Sequence, residues 1–468
     1  MKKKILLKLL RPFFLNTFSY GRRLNALKRS SQELINNNKE QCSDYHYHFL
    51  LSAWEGTRTP WYQIYLAALL NRRGVNTYFI IDNFSYIYYP IHLMFFIIFR
   101  SCKYKKYKKT RNVESSLSFA ERRDLLSAVK ANIKWYTKSE LIVEKISKAI
   151  KIFFYLRQVR HYKRIKSELF YFTEQDIIII PGGILNPSNS YLMACRFYGL
   201  KFYTYDSGIN GQVIFARSSV AAHLEEINEQ KFDEITPCKV QVLLSSAEHS
   251  ISERMNSSDK FKYQKVERGG TEYLKYLKPN LTNILIPLSC PWDAASLLRR
   301  DIFRSEINLI VKVLEQYKNS NILVRVHPIE RLPNNSRNDD LAKFFKNDKR
   351  VKIITAETNV NTYDFLDYVD LVICRNTSIG AEALICGKKV FSTSISYWND
   401  TIGLQPTSLD LETIKMRYAL AQVHNWNFPP VNLNNVSYYS IDTDGFDEFT
   451  DMVLSYKTQT EVKMNNII

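Results

Sequence analysis

The hexapeptide Arg325-Val326-His327-Pro328-Ile329-Glu330 sets a cation, an imidazole and a carboxylate at the end of a β-branched run that begins at Ile322. Proline fixes the backbone of the turn and removes one donor. In an open α/β sheet the loop that leaves a strand faces the ligand crevice. There Arg325 and His327 can bind a phosphate or diphosphate and offset charge on a leaving group, with Glu330 beside them. A capping turn, whose polar side chains only satisfy backbone groups, uses the same letters.

A second group, Arg375-Asn376-Thr377-Ser378-Ile379-Gly380-Ala381-Glu382, follows the apolar strand 371–374 and opens a helix. Asn376, Thr377 and Ser378 leave the first amides and the helix dipole pointing at an anion, or they serve as ordinary N-caps. Pro291-Trp292-Asp293 follows another strand end. Trp292 could stack there on a base or sugar, and Asp293 could bind hydroxyls or cap a helix. In the first half of the chain the strand 201–205 delivers Asp206-Ser207-Gly208 into a loop. Asp206 beside a flexible glycine can act as a general base toward a hydroxyl or open an Asx turn. Glu55 and Arg58, in the polar turn after the first strand, are candidates for substrate contact or a surface ion pair.

These loops need strands to carry them. Residues 47–52 read as a buried strand, a polar turn and a helix over 60–73 follow, Gly74 ends the helix, and residues 77–81 form the next strand. Asp176-Ile-Ile-Ile-Ile-Pro181 suits a strand buried on both faces. From 283 onward strands at 283–288, 322–326, 351–355, 371–374 and 389–392 alternate with helices. That alternation predicts two Rossmann-like, doubly wound α/β domains.

The order Arg-Val-His-Pro-x-Glu, then Tyr363-Asp364-Phe365-Leu366 with a following Asp, then Asn-Thr-Ser-Ile-Gly-x-Glu-Ala-Leu-x-x-Gly-Lys-Lys-Val resembles the donor domain of GT-B capsular and lipopolysaccharide glycosyltransferases. Among these the CMP-Kdo transferase and sialyltransferase-like group is most similar, and the resemblance covers about 120 residues, from 284 to 397. It implies that His327, Pro328, Asn376, Thr377 and Ser378 hold a nucleotide phosphate; Glu382, one turn into the following helix, could face a ribose or sugar hydroxyl or be a helix-surface acid. The group's acidic base lies in an acid-acid-Gly motif, matched here by Asp206-Ser207-Gly208 with Ser207 in place of an acid. The resemblance further implies two sheets facing a cleft, a nucleotide-sugar co-substrate, and a glycan or lipid-linked glycan acceptor. Helix dipoles and basic side chains replace a metal in such enzymes, so no metal or other cofactor is expected.

The domain plan that follows has a basic amphipathic arm (1–43), an acceptor-side domain (44–225) with a helical basic insertion near 84–170, and a connector (226–280). A nucleotide-sugar-binding domain (281–400) and a tail (401–468) that packs back on the first domain complete it. With 65 Lys and Arg against 46 Asp and Glu, the net charge of +19 favours anionic partners. Seven scattered cysteines fit neither a disulfide framework nor a zinc site, and a reducing cytoplasm suits them. Residues 1–23 read as a basic segment for an anionic inner leaflet or as a solvated arm. Residues 87–99, apolar but too short to span and interrupted by Pro90, read as interfacial or buried. The expectation is a cytoplasmic protein, peripheral at the inner face of the plasma membrane. Other readings are a CDP-glycerol-type glycerophosphotransferase, a non-catalytic membrane-associated scaffold, or a nucleic-acid-binding protein. No RNA-binding or helix-turn-helix signature supports the last, so no nucleic acid is expected as a partner.

Overall fold

The computed structural model describes residues 44–51, 73–81, 103–104, 116–137, 146–207, 213–232, 235–256, 268–299 apart from 270, 301–331 apart from 304, 337–424 and 452–457, with a few single positions between them. The arm 1–43, the apolar run 87–99, and the candidate residues Glu55, Arg58 and Gly208 lie outside these.

Apolar, aromatic and β-branched residues build the strands. In the first sheet β1 (His46–Leu51), β2 (Asn76–Ile81), β3 (Lys103–Tyr104), β4 (Asp176–Pro181), β5 (Lys201–Ser207) and β6 (Val213–Arg217) stand in the order β3-β2-β1-β4-β5-β6. All pairs are parallel except β5 with β6. Two helices precede β4, α1 (Phe119–Thr137) and α2 (Lys148–Leu169), and α3 (Ser188–Tyr198) joins β4 to β5. Ile177 to Ile180 are wholly buried, as a central strand covered on both faces requires. At the amino-terminal edge of this sheet His48 sits 2.6 Å from Asp176 and stacks on Tyr78. Burial raises the Asp176 pKa, but hydrogen bonds from His48 and Thr173 outweigh it and hold the carboxyl at about 2.

The second sheet comprises β7 (Thr282–Pro287), β8 (Ser320–Arg325), β9 (Val351–Ile354), β10 (Leu371–Cys374) and β11 (Lys389–Ser392), in the order β11-β10-β7-β8-β9 and parallel throughout. Its side chains alternate between two cores. Ile284, Ile286, Ile322, Val324 and Ile373 meet Leu309, Ile310 and Val313 of α5 (Glu306–Gln316) on one face. Leu285, Leu323 and Val372 meet α4 (Pro237–Asn256), α8 (Ser378–Ile385) and α9 (Leu411–Ala419) on the other. The short α6 (Arg337–Phe344) and α7 (Thr362–Leu366) complete the crossovers. Side-chain caps fix where helices begin: Ser305 accepts from the Asn308 amide, Asn361 from Tyr363, and Asp410 from Thr413.

Both sheets therefore have the Rossmann strand order, and two such α/β units in one chain are the GT-B composition. The chain divides into one unit of Met1–Arg122, Leu156–Ala221 and Trp426–Val462 and a second of Arg123–Tyr155, Ala222–Asn425 and Lys463–Ile468. This corrects the domain plan in three places, the first being residues 123–155 of the expected first-domain insertion, which fall in the second unit. Residues 237–256 of the expected connector form α4, whose Leu243, Ala247 and Ile251 enter the second unit's core. Residues 411–419 of the expected tail form α9, which joins the same core through Ile414, Met416 and Tyr418. Residues 452–457 lie on the first unit, where Tyr203 Oη donates to the carbonyl oxygens of Met452 (3.1 Å) and Lys457 (2.7 Å), and Tyr47 Oη to that of Val453 (3.0 Å). The short β3 and the returning β6 were not expected. Among the described residues no helix is long and apolar enough to cross a membrane.

Candidate functional site

In the second unit β7 lies between β10 and β8, so the strand order reverses at the β7/β10 pair. Crossovers leave these two strands in opposite directions, which opens a crevice between the loops at their carboxyl ends. Those loops are 288–293 after β7 and 375–378 after β10. They are joined by the Asn376 side-chain amide, which donates to the Ala295 carbonyl. Arg299 ties the same stretch to the loop after β11: Nε donates to the Ala295 carbonyl at 2.7 Å and Nη1 to that of Ile395 at 2.8 Å. A third bond from Arg299 reaches the His223 carbonyl.

Thr377 and Ser378 stand, half-buried, at the start of α8. Thr377 is the N-cap residue by backbone angles, and its side chain makes no capping bond. The hydroxyl is thus not committed to closing the helix end, where amide dipoles favour an anion. Gly380 in the first turn of α8 is there for packing. A Cβ at this position would lie 2.5 Å from Cη2 of Trp398, closer still to Cζ2, and 2.9 Å from Sγ of Cys374. Trp398, 1% exposed, thereby sets the distance between α8 and the loop after β11.

His327 is half-buried directly after β8. Its Nδ1 accepts a hydrogen bond from the Ile329 amide at 3.2 Å. That bond places the proton of the neutral ring on Nε2 and makes Nε2 the ring's donor. Pro328 begins the 3-10 turn Pro328–Arg331, closed by the Glu330 amide on the His327 carbonyl at 2.9 Å. The sequence pattern thus produces a preoriented imidazole at a strand end.

Five expected site residues are corrected by their surroundings. Arg325 is 2% exposed, and its guanidinium donates to the backbone carbonyls of Thr355, Thr358 and Val360, so it anchors the loop after β9 rather than reaching for a phosphate. Glu330 is fully buried beneath the turn. Glu382, 1% exposed, receives Arg254 Nη1 at 2.6 Å and Tyr418 Oη at 3.2 Å on one oxygen, and Tyr363 Oη at 2.8 Å on the other. Its carboxylate holds α8 to α4, α7 and α9 and does not face a ribose. Trp292 is 7% exposed, too enclosed to offer a ring face for stacking, whereas Asp293 is exposed. Asp206 is 5% exposed and belongs to β5 itself, paired with Ile214 of β6, not to the loop beyond.

Arg375 is committed to protein: Nε lies 3.0 Å from Asp301, Nη1 3.1 Å from Glu306, and Nη2 donates to the Phe303 carbonyl. Sequence reading missed Arg299 and His223. His223 is 4% exposed, with Nε2 2.9 Å from the Leu297 carbonyl, and burial pushes its pKa down. Nothing in their local pattern marks either, because the carbonyls of Leu297, for His223, and of Ile395 and His223, for Arg299, are distant in sequence. Among the described residues no three His, Cys, Asp or Glu side chains come together as a metal site.

The structure resembles, at low overlap, the β-Kdo 2,4-transferase of Thermosulfurimonas dismutans KpsC, with 16% identity over 52% of this chain and 78% of that one and a TM-score of 0.34. The β-Kdo 2,7-transferase of the same KpsC gives 18% identity, 55% and 80% coverage and a TM-score of 0.34. MurG of Acinetobacter baumannii gives 11% identity, 90% and 99% coverage and a TM-score of 0.20. No curated protein matches. Residues 281–405, which span all five strands of the second sheet and the loops just described, match the model of the family called capsule polysaccharide biosynthesis protein.

Proposed function

We propose that this chain is a glycosyltransferase of capsule polysaccharide synthesis that takes a sugar from a nucleotide-activated donor, a CMP-sugar such as CMP-Kdo, and adds it to a glycan or lipid-linked glycan. It acts at the cytoplasmic face of the membrane and uses no metal. The observation that supports this reading most is the convergence, within the segment matching the capsule family, of His327, Asn376, Thr377 and the start of α8 on the carboxyl end of one parallel sheet.

In this reading the donor phosphate lies at the amino end of α8, near the Thr377 and Ser378 hydroxyls, and receives the Nε2 proton side of His327. The acceptor hydroxyl attacks the anomeric carbon and the bond from that carbon to the phosphate oxygen breaks. The nucleotide leaves with the electron pair, and the hydroxyl proton passes to a carboxylate acting as general base. The helix dipole and His327 stabilise the negative charge gathering on the departing phosphate.

Thermal stabilisation of the full chain by CMP, CDP, UDP, GDP and TDP tests this. A ligand at a hundred times its Kd contributes about 2.7 kcal/mol. For a unit of this size that raises the melting temperature by about 5–10 °C. CMP is expected to give the shift and His327→Ala to abolish it while leaving the ligand-free melting temperature in place. A shift with UDP, GDP or TDP instead would keep the transferase and reassign the donor, and none at all would refute the reading.

A further inference from the structure

We propose that the amino-terminal half of α2 is a docking surface for an anionic lipid bilayer. Helix α2 turns one stripe inward: Gln158 bonds to Asn186 and Ser190, Lys166 pairs with Glu121 at 2.8 Å, and Tyr162, Ile165 and Leu169 are buried. Its opening turns expose apolar side chains instead. Of the seven residues from 150 to 156, five are exposed large hydrophobics: Ile150 (47%), Ile152 (47%), Phe153 (62%), Phe154 (42%) and Leu156 (49%). Single exposed apolar residues are ordinary, but a continuous run on one helix marks a contact surface.

The charge around this run selects the partner. Between 148 and 167 the chain carries seven Lys and Arg and no Asp or Glu. Lys148, Arg157 and Arg160 are exposed on the same turns as the aromatic rings. A second copy of the chain would bring like charges together, which opposes self-association. Nucleic acid would satisfy the cations, yet the aliphatic Ile150, Ile152 and Leu156 have nothing to stack on or bond to there. A bilayer with anionic headgroups satisfies both. Apolar side chains sink to the acyl boundary, and the basic groups stay at the lipid phosphates on their flexible stems. Since α2 is not apolar enough to span, it lies along the surface. This inference is independent of sugar transfer and stands or falls separately.

The test uses the full chain and vesicles of phosphatidylglycerol with phosphatidylcholine, compared with phosphatidylcholine alone. Each basic residue at the surface contributes about fivefold in affinity. Arg157→Glu with Arg160→Glu is therefore expected to weaken binding to the mixed vesicles by at least about tenfold. Phe153→Ser with Phe154→Ser should also lose binding, whereas Lys343→Glu with Lys346→Glu, on an exposed part of the second unit, should not. Melting temperatures should be unchanged in all three, since the replaced side chains are exposed. Because basic segments elsewhere could also bind lipid, a Phe154→Trp variant reports the site directly. Brominated acyl chains should quench emission beyond the background of the six native tryptophans. Vesicle binding without that added quenching, no vesicle binding, or binding to a DNA duplex in place of vesicles would each overturn the proposal.

Discussion

Replacing Glu382 by Gln removes one negative charge, keeps the side-chain shape, and separates a structural role from a ligand contact. In the folded protein the carboxylate is 2% exposed and the facing Arg254 guanidinium 7%. Burial alone would lower the Arg254 pKa, but the Glu382 charge more than compensates, so the guanidinium stays protonated. Burial and the same carboxylate raise the pKa values of Tyr363 and Tyr418, so both remain hydroxyl donors. In Glu382→Gln the cation stays in place with Gln422 and a weaker dipole as neighbours. Breaking a buried pair by removing one partner costs about 3–5 kcal/mol. A unit of roughly two hundred residues loses about 2–4 °C per kcal/mol, so melting should fall by about 10 °C. The assay is a thermal melt with and without nucleotide, and the nucleotide-induced shift should survive. Combining Glu382→Leu with Arg254→Met should recover much of the loss, because no charge is then left unmatched. A Glu382→Gln protein with unchanged melting that no longer responds to nucleotide would refute this reasoning and restore Glu382 to the donor site.

Two further outcomes follow from packing and ionisation. Gly380→Ala should destabilise the second unit by about 1–3 kcal/mol through overpacking, reduced by up to about 1 kcal/mol from better helix propensity. Its cost should shrink in a Trp398→Phe background, where the ring atoms that meet the new methyl are gone, and denaturant melts of the four proteins of that cycle check this. The depressed pKa of Asp176 means that its stabilisation is full above the ordinary carboxylate value and is lost as pH falls from there toward 2. Asp176→Asn should therefore be less stable at neutral pH and show a flatter stability profile below about pH 4, measured by urea unfolding across pH.

The sheets were legible because parallel strands buried on both faces announce themselves as β-branched runs, and the runs at 177–180 and 322–326 became strands at those positions. The His327 turn and the start of α8 were legible for a related reason: proline, asparagine and threonine act on backbone within a few residues of themselves. Arg325, Glu330 and Glu382 misled because residue type at a strand end says nothing of distant partners. Arg254 lies 128 residues from Glu382, and the carbonyls that take up Arg325 belong to a loop about thirty residues on. Asp206 reads as a loop residue because Gly208 and Asn210-Gly211 follow it closely, and nothing local shows that the strand runs on through Ser207. Once β6 returns antiparallel, Asp206 is held in the ladder opposite Ile214.

The most direct measurement is transfer itself. The full chain, the nucleotide sugar whose nucleotide raises its melting temperature, and a lipid-linked glycan fragment are incubated together, and the products are weighed by mass spectrometry. The account predicts an acceptor heavier by one sugar residue with release of one equivalent of free nucleotide. A chain that binds the nucleotide yet leaves the acceptor mass unchanged would contradict it.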